Sequence, residues 1–359
     1  MIKRQSFLQS AIILTLSMAI VKLIGAFFKL PLAYIINENG MGYFNTAYNF
    51  YAVFFSLATA GFPVAISKLV SENYSLGRYS DVRKIKSLSL PIFFFSGFIG
   101  MCVMLVSAKV YTQFIGNSGA FLPIIVLSPS ILFCSLNSIY RGYHEGLRDM
   151  YPTAISQVIE ALTKLLLGIY LAFAVTEHLT AEYMQSSSVL GKVLSADNAQ
   201  LTIFSCAAAA AILGVSCGTL LSFLFLLFYH KIKGDGIENI SYQKPHSDKH
   251  IRKRLLKIAL PIAIGSMTVS ISALVDQTIV QKRLGDLMIE NSAEILELYK
   301  NQIPEENLSD ISTIPNFLFG CHAYAMTIFM LIPALTQAFG TSALPNLSMY
   351  WAKNNLKAV

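Results

Sequence analysis

Two lysines, Lys22 and Lys29, sit inside the first long apolar run of the chain, Ala11 to Ile36, where a membrane-crossing segment ordinarily carries no charge. Their spacing is almost two helical turns, so both ammonium groups fall on one face. A cation at the bilayer centre costs about 2.5–3.5 kcal/mol on insertion scales and is tolerated where it faces a bundle interior or a wet cavity. The pair therefore predicts an inward cationic stripe suited to an anion. The competing reading is that Pro31 opens a loop at Lys29 and that Lys22 snorkels to the interface.

Two carboxylates stand out for the same reason. Of the 20 acids, Glu160 and Asp276 alone fall well within apolar runs, where a bare carboxylate would protonate or be expelled, so each needs a partner. Glu160 belongs to a polar stripe, Thr153, Ser156, Gln157, Glu160, Thr163 and Lys164, recurring at three- and four-residue intervals. Lys164, one turn on, is its expected ion-pair partner. Asp276 has no such neighbour on its own helix and is expected to look across to Lys22 or Lys29. Both acids are candidate ion-coupling or counter-ion groups.

Other chemistries lack their residues. The sequence has no Ser-His-Asp or thiolate constellation and no phosphate-cradling glycine loop ending in Gly-Lys-Ser or Gly-Lys-Thr, so the expectation is a non-enzyme with no catalytic residues and no cofactor. His246 and His250 have metal-ligand spacing on a helix but no third ligand, and read as part of a solvated basic loop rather than a metal site. Cys102, Cys134, Cys206, Cys217 and Cys321 fall within or beside apolar runs and form neither a disulfide framework nor a zinc pattern.

The elements that must position these groups are helices in a membrane. At 54% hydrophobic, 13% charged and a mean hydropathy of +0.56, the 359 residues form an all-α polytopic membrane protein. Eight runs are long enough to cross: roughly 11–36, 44–70, 88–111, 121–141, 152–175, 202–230, 258–281 and 319–345. Basic residues alternate between their connections. Lys3 and Arg4, then segments 71–87 and 231–257, are rich in Lys and Arg, and 142–151 carries Arg148 beside Arg141; these mark the cytoplasmic side. Segments 37–43 and 112–120 have none, 176–201 has only Lys192, and 286–310 carries seven acids. Both ends of the chain are thus expected to be cytoplasmic, and the net charge of +7 reflects insertion and contact with anionic lipid, not nucleic acid.

Local sequence marks several details. Asn37 to Gly42 reads as a tight turn, Gly61 and Pro63 as a helix break, and Ala207 to Ala211 with Gly214 and Gly218 as a surface for close helix approach. The aromatics Tyr43 to Phe55 read as packing and interface anchors. Segment 283–318 is expected to hold an outer helix around Ile289 to Leu298. Thr341 to Ser348 matches Ala60 to Ser67 in kind, with prolines at 345 and 63, which suggests a duplication. The expected division is a six-helix lobe at 1–257 and the first two helices of a second lobe at 258–359, the rest of which is expected to be missing.

Three stretches carry a resemblance. Arg141-Gly-Tyr-His-Glu-Gly-Leu-Arg-Asp-Met-Tyr-Pro-Thr-Ala-Ile-Ser-Gln-Val-Ile-Glu160, Ala60-Gly-Phe-Pro-Val-Ala-Ile-Ser-Lys-Leu-Val-Ser-Glu72 and Leu274-Val-Asp-Gln-Thr-Ile-Val-Gln-Lys-Arg-Leu284 resemble the polysaccharide transporter branch of the multidrug/oligosaccharidyl-lipid/polysaccharide exporter superfamily, in particular its sporulation-associated, lipid II flippase-like members. The resemblance implies two helical lobes about a central cavity and outward movement of a polyprenyl-diphosphate-linked saccharide by alternating access. It also implies that basic residues of the first lobe meet the diphosphate: Lys22 and Lys29 match basic positions of the family's first helix, and Asp276 matches an acid of its seventh. Arg141 and Lys164 are further candidate substrate ligands, Glu160 and Asp276 candidate ion-coupling or counter-ion groups, and proton, sodium and membrane potential all stay open as the source of coupling. A cation-coupled multidrug antiporter and a non-transporting scaffold for wall synthesis are the competing functions.

Overall fold

The computed structural model describes residues 7–59, 61–237, 245–299, 302–308 and 310–329. Lys3, Arg4, Ala60 and the repeat at Thr341 to Ser348 lie outside them, as does most of the eighth predicted span. Its beginning is a helix, Ile314–Phe329.

The first helix, α1 (Phe7–Thr59), has 53 residues and would measure about 80 Å if straight. It is instead broken at Asn37, whose φ of 50° and ψ of −171° are not helical. Asparagine tolerates positive φ better than other non-glycine residues, which suits it to this point. The chain folds back there: the Lys164 ammonium lies 4.7 Å from the Phe28 ring centre and 4.9 Å from that of Tyr48, residues that a continuous helix would hold about 30 Å apart. Thus α1 is a hairpin of two crossings. The turn predicted over 37–42 is confined to one residue.

A second break precedes α2 (Phe62–Ser75), with Gly61 as N-cap and Pro63 in the first turn, where its missing N–H is harmless. Helices α3 (Tyr79–Phe114), α4 (Phe121–Gly146), α5 (Tyr151–Ser186), α6 (Ala196–Lys233) and α7 (Asp248–Glu290) follow. Among the described residues six helical stretches are long and apolar enough to cross a membrane, the first running from Ile12 to Ser75 through both limbs of α1. Between α5 and α6 the predicted loop includes a hairpin of two two-residue strands, β1 (Ser188–Val189) and β2 (Lys192–Val193). Its turn residues Leu190 and Gly191 both have positive φ, as a type I′ turn requires. The expected outer helix is α8 (Ser292–Leu298), followed by α9 (Glu305–Leu308) and α10 (Ile314–Phe329).

Small residues set the closest approaches. A Cβ on Gly214 of α6 would fall 2.5 Å from the Gly168 backbone of α5, which accounts for the glycine expected there. At the start of α2, a Cβ on Gly61 would lie 1.9 Å from the Ala259 carbonyl oxygen of α7. Helix α7 is therefore seated directly on the break between α1 and α2.

The two ends of α7 are held differently. At the basic end, Arg254 donates twice to the Glu72 carboxylate, at 3.0 and 2.9 Å, and Lys84 meets Asp248 at 2.8 Å. His246 is not a free loop residue: its backbone N–H and ring Nδ1 both contact Asp81 at 2.8 Å. A separate chain of contacts runs from half-buried Lys86 through His230 to buried His144 and Asp149. Towards the other end the buried hydrogen bonds are between neutral groups, within α7 and beside it. Gln277 and Gln281 donate to the Thr46 hydroxyl at 3.0 Å, Asn316 of α10 donates to the Asn39 carbonyl at 3.0 Å, and the Asn39 and Asn307 amides exchange hydrogen bonds.

Two expectations follow. Gly61→Val should force α2 from α7 and lower the Tm of the purified chain by the equivalent of about 1–3 kcal/mol. Gly265→Ala on α7, where a Cβ meets nothing within 4 Å, should not lower it; equal losses would refute the contact. The second concerns Asp235, in the loop after α6. Burial opposes its ionisation, but hydrogen bonds from Arg83 and the Ile237 N–H outweigh that and hold its carboxyl below the usual carboxylate range. Its stabilisation is present above the unfolded pKa of about 4 and is lost as pH falls through the lower folded value. Asp235→Asn should flatten the acid limb of a Tm series below about pH 5. An unaltered limb would exclude this contact as its source.

Candidate functional site

Between the two limbs of α1 and helices α4, α5 and α6 lies a cavity of about 450 Å³. Each wall follows from helix periodicity. Met18, Lys22 and Gly25 come from one face of the first limb, Tyr48, Tyr51 and Phe55 from the facing side of the second, and Gln157, Glu160 and Lys164 from the polar stripe of α5. Arg141 enters from the end of α4.

Arg141 is held from three directions. Its Nη2 donates to Glu160 Oε2 and to Ser222 Oγ, both at 2.9 Å, and its Nε donates to Ser156 Oγ at 3.0 Å. Ser156 passes its own proton to the Thr153 carbonyl at 2.9 Å. The guanidinium thus finds planar, directed partners in place of water, which is why arginine suits this position.

That arrangement corrects the expected pairing of Glu160. Its carboxylate is taken by Arg141 of the neighbouring helix, not by Lys164 one turn away. The Glu160 face of α5 is turned to α4, whereas Lys164 points between the limbs of α1. There the Lys164 ammonium sits over the Phe28 and Tyr48 rings, and among the described residues no carboxylate oxygen lies within 4.0 Å of it. Ring quadrupoles stabilise a cation without neutralising it. Lys29, half-buried on the first limb, stands within electrostatic reach of Lys164, while Lys22 lines the cavity itself.

Three cations, Lys22, Arg141 and Lys164, therefore face one cavity against the single carboxylate of Glu160. The Tyr48 hydroxyl and the Gln157 amide oxygen are buried and make no hydrogen bond among the described residues. Such a lining holds an anion by charge and leaves polar groups to orient it. Cys134 is buried against the Tyr51 hydroxyl at 3.6 Å, an arrangement without a base to activate the thiol. Among the described residues no group of three or more His, Cys, Asp or Glu could hold a metal ion.

Asp276 is not part of this site. It is exposed on α7 beside Val275, Ile279 and Val280, away from Lys22 and Lys29, and forms no ion pair among the described residues. The contact expected between Asp276 and the lysines of α1 is thus not made, because the face of α7 turned to α1 carries Gln277 and Gln281 instead. Tyr48 and Tyr51 were read as packing aromatics, yet both border the cavity. Their place beside the polar stripe of α5 follows only from the fold-back of α1.

A family model described as polysaccharide biosynthesis protein matches residues 7–351. The chain is 24% identical over 363 residues to the lipid II flippase MurJ of Bacillus subtilis, covering 98% of this chain and 59% of that protein. It is 27% identical over 209 residues to stage V sporulation protein B of the same organism, covering 56% of this chain and 39% of that one. It therefore spans less than two thirds of either relative. A solved MOP superfamily transporter from Pyrococcus furiosus superposes with a TM-score of 0.51 at 13% identity, over 97% of this chain and 71% of that one, a likeness of fold.

The Arg141–Glu160 contact is testable by itself. The two side chains are 18% and 28% exposed, so removing either should destabilise by less than the roughly 3–5 kcal/mol of a fully buried pair. Arg141→Met and Glu160→Gln should each lower Tm, and the double variant should lose less than the two single losses combined. Additive losses would show that the two groups are not coupled.

Proposed function

Since the chain belongs to the polysaccharide biosynthesis protein family, we propose that it acts in moving a polyprenyl-diphosphate-linked saccharide, a peptidoglycan precursor or polysaccharide unit, from the cytoplasmic to the outer leaflet of the cell membrane by alternating access. The single observation that carries this reading is the convergence of three cations on one intramembrane cavity against one carboxylate. A diphosphate is a compact anion, and fixed charges in a low dielectric hold it more strongly than water-exposed ones would. In this reading Lys22 and Lys164 are its first ligands, with Lys29 behind them. Glu160 keeps Arg141 in place while the cavity is empty and yields part of it to the phosphate on loading.

The cationic lining favours this function over a cation-coupled antiporter, which would present acids to its cargo. The family also makes a binding and transport role more natural than catalysis. Residues 1–257 form one lobe and 258–359 open a second, and both termini face the cytoplasm. Asp276, exposed on α7, is left as the candidate for a proton or sodium ion arriving from outside the first lobe.

Binding of geranylgeranyl diphosphate and of the parent alcohol to the full chain in nanodiscs separates charge recognition from lipid partition. The diphosphate should bind and the alcohol should not compete. Lys22→Gln with Lys164→Gln should weaken diphosphate binding at least tenfold, and Glu160→Gln should strengthen it by removing the competing anion. Equal binding of diphosphate and alcohol would overturn the proposal.

A further inference from the structure

A second cavity, of about 530 Å³, opens at the end of α3 remote from Asp81, where the turn after α3 meets the last turns of α7 and the start of α10. Its chemistry differs from that of the anion site. It has one cation and one carboxylate, Lys282 and Asp286, so its field favours neither sign of charge. The Lys282 ammonium rests on the Phe114 ring at 4.5 Å. The remaining polar wall consists mainly of amides, including Asn117, Gln281 and Asn316, set among apolar side chains such as Met288 and Pro315.

These amides have more hydrogen-bonding capacity than the protein uses. Asn117 and Gln281 are 5% and 2% exposed, and each commits its nitrogen to protein partners: Asn117 to Asn316 at 2.8 Å and Thr46 at 3.4 Å, Gln281 to Thr46 at 3.0 Å. The amide oxygens of both make no hydrogen bond among the described residues. Gln277 also donates to Thr46, so three amides converge on one hydroxyl that offers two lone pairs and one proton. Whichever way each amide is turned, open valences remain on Asn117 and Gln281, two side chains that line the cavity. Buried polar atoms without partners are costly, and a cavity beside them is where a partner enters.

We propose that this cavity is a binding site for a neutral, hydroxyl-rich saccharide ring, with Asn117 and Gln281 as its ligands. Hydroxyl groups both donate and accept, so they satisfy an amide in either orientation, and the apolar faces of a sugar ring fit the mixed wall. The volume lies within the range of about 300–1,000 Å³ usual for small-molecule sites. A glycerol headgroup of a phospholipid offers similar hydroxyls but brings a phosphate that this balanced lining does not reward. The choice of a saccharide over other polyols rests on the proposed function; the existence of a polyol site does not.

The probe is N,N′-diacetylchitobiose, followed by saturation-transfer NMR with the full chain in phosphatidylcholine nanodiscs. Transfer to its ring and acetamido protons is expected, and Asn117→Leu and Gln281→Leu should each weaken binding at least fivefold. Because those residues also tie helices together, Gly285→Phe provides an independent variant: Gly285 lines the cavity and a Cβ there meets nothing within 4 Å, so the ring enters the space while both amides keep their own side chains. It should abolish transfer to the disaccharide while leaving geranylgeranyl diphosphate binding unchanged. Absence of transfer, transfer that survives Gly285→Phe, or displacement by an equal concentration of glycerol 1-phosphate would each overturn the proposal. If the disaccharide binds as expected while diphosphate and alcohol bind alike, the proposed function alone fails.

Discussion

Cations taken out of water must be resolvated by protein, and the first six helices are arranged around that requirement. Arg141 receives a carboxylate and two hydroxyls, and Lys164 receives two aromatic faces. Neither solution works from one helix. The first needs α4, α5 and α6 together, and the second needs both limbs of α1 against α5, so a cavity at their meeting point is a consequence of solvating charge within a bundle. The close approach of Gly214 to Gly168 serves the same end, since it draws α6 near enough for Ser222 to reach Arg141.

The crossings and the polar stripe of α5 were legible in the sequence because both are periodic properties of a single helix. Apolar run length marks a span, and intervals of three and four mark a face. Lys22, Lys164 and Glu160 line the cavity, whereas Lys29, expected on the same inward face as Lys22, is not among its lining residues. What failed was partner choice. The spacing of Glu160 and Lys164 satisfies an i,i+4 pair, but a guanidinium on α4 offers directed hydrogen bonds that the ammonium does not, and nothing local records the rotation of α5 about its axis. Asp276 failed for the same reason: its rarity was visible, but the direction it faces depends on which side of α7 packs on α1.

The amides were missed for a different reason. Thr46, Asn117, Gln277, Gln281 and Asn316 are uncharged and come from four separate parts of the chain, and only Gln277 and Gln281, four apart on α7, are linked by an interval. Those two lie inside a stretch whose acid, Asp276, drew the chemical reading. The two cavities also share a helix: Thr46 belongs to the amide cluster, and Tyr48, two residues later on the second limb of α1, borders the anion site. A displacement of that limb along its axis would alter both.

The unlike fastenings of α7 have a consequence for how the molecule answers to electrolyte. Arg254–Glu72 and Lys84–Asp248 are between 37% and 55% exposed, within reach of counter-ions, whereas Gln277, Gln281 and Thr46 are buried and uncharged. At an ionic strength of about 0.15 M the screening length is already near 8 Å, and it shortens further as salt is added. Added salt therefore weakens the ion pairs at one end of α7 and leaves the buried amides of the other untouched, so that electrolyte acts on the helix from one end only, where the apolar seat of Leu255 and Ala259 is left to hold it.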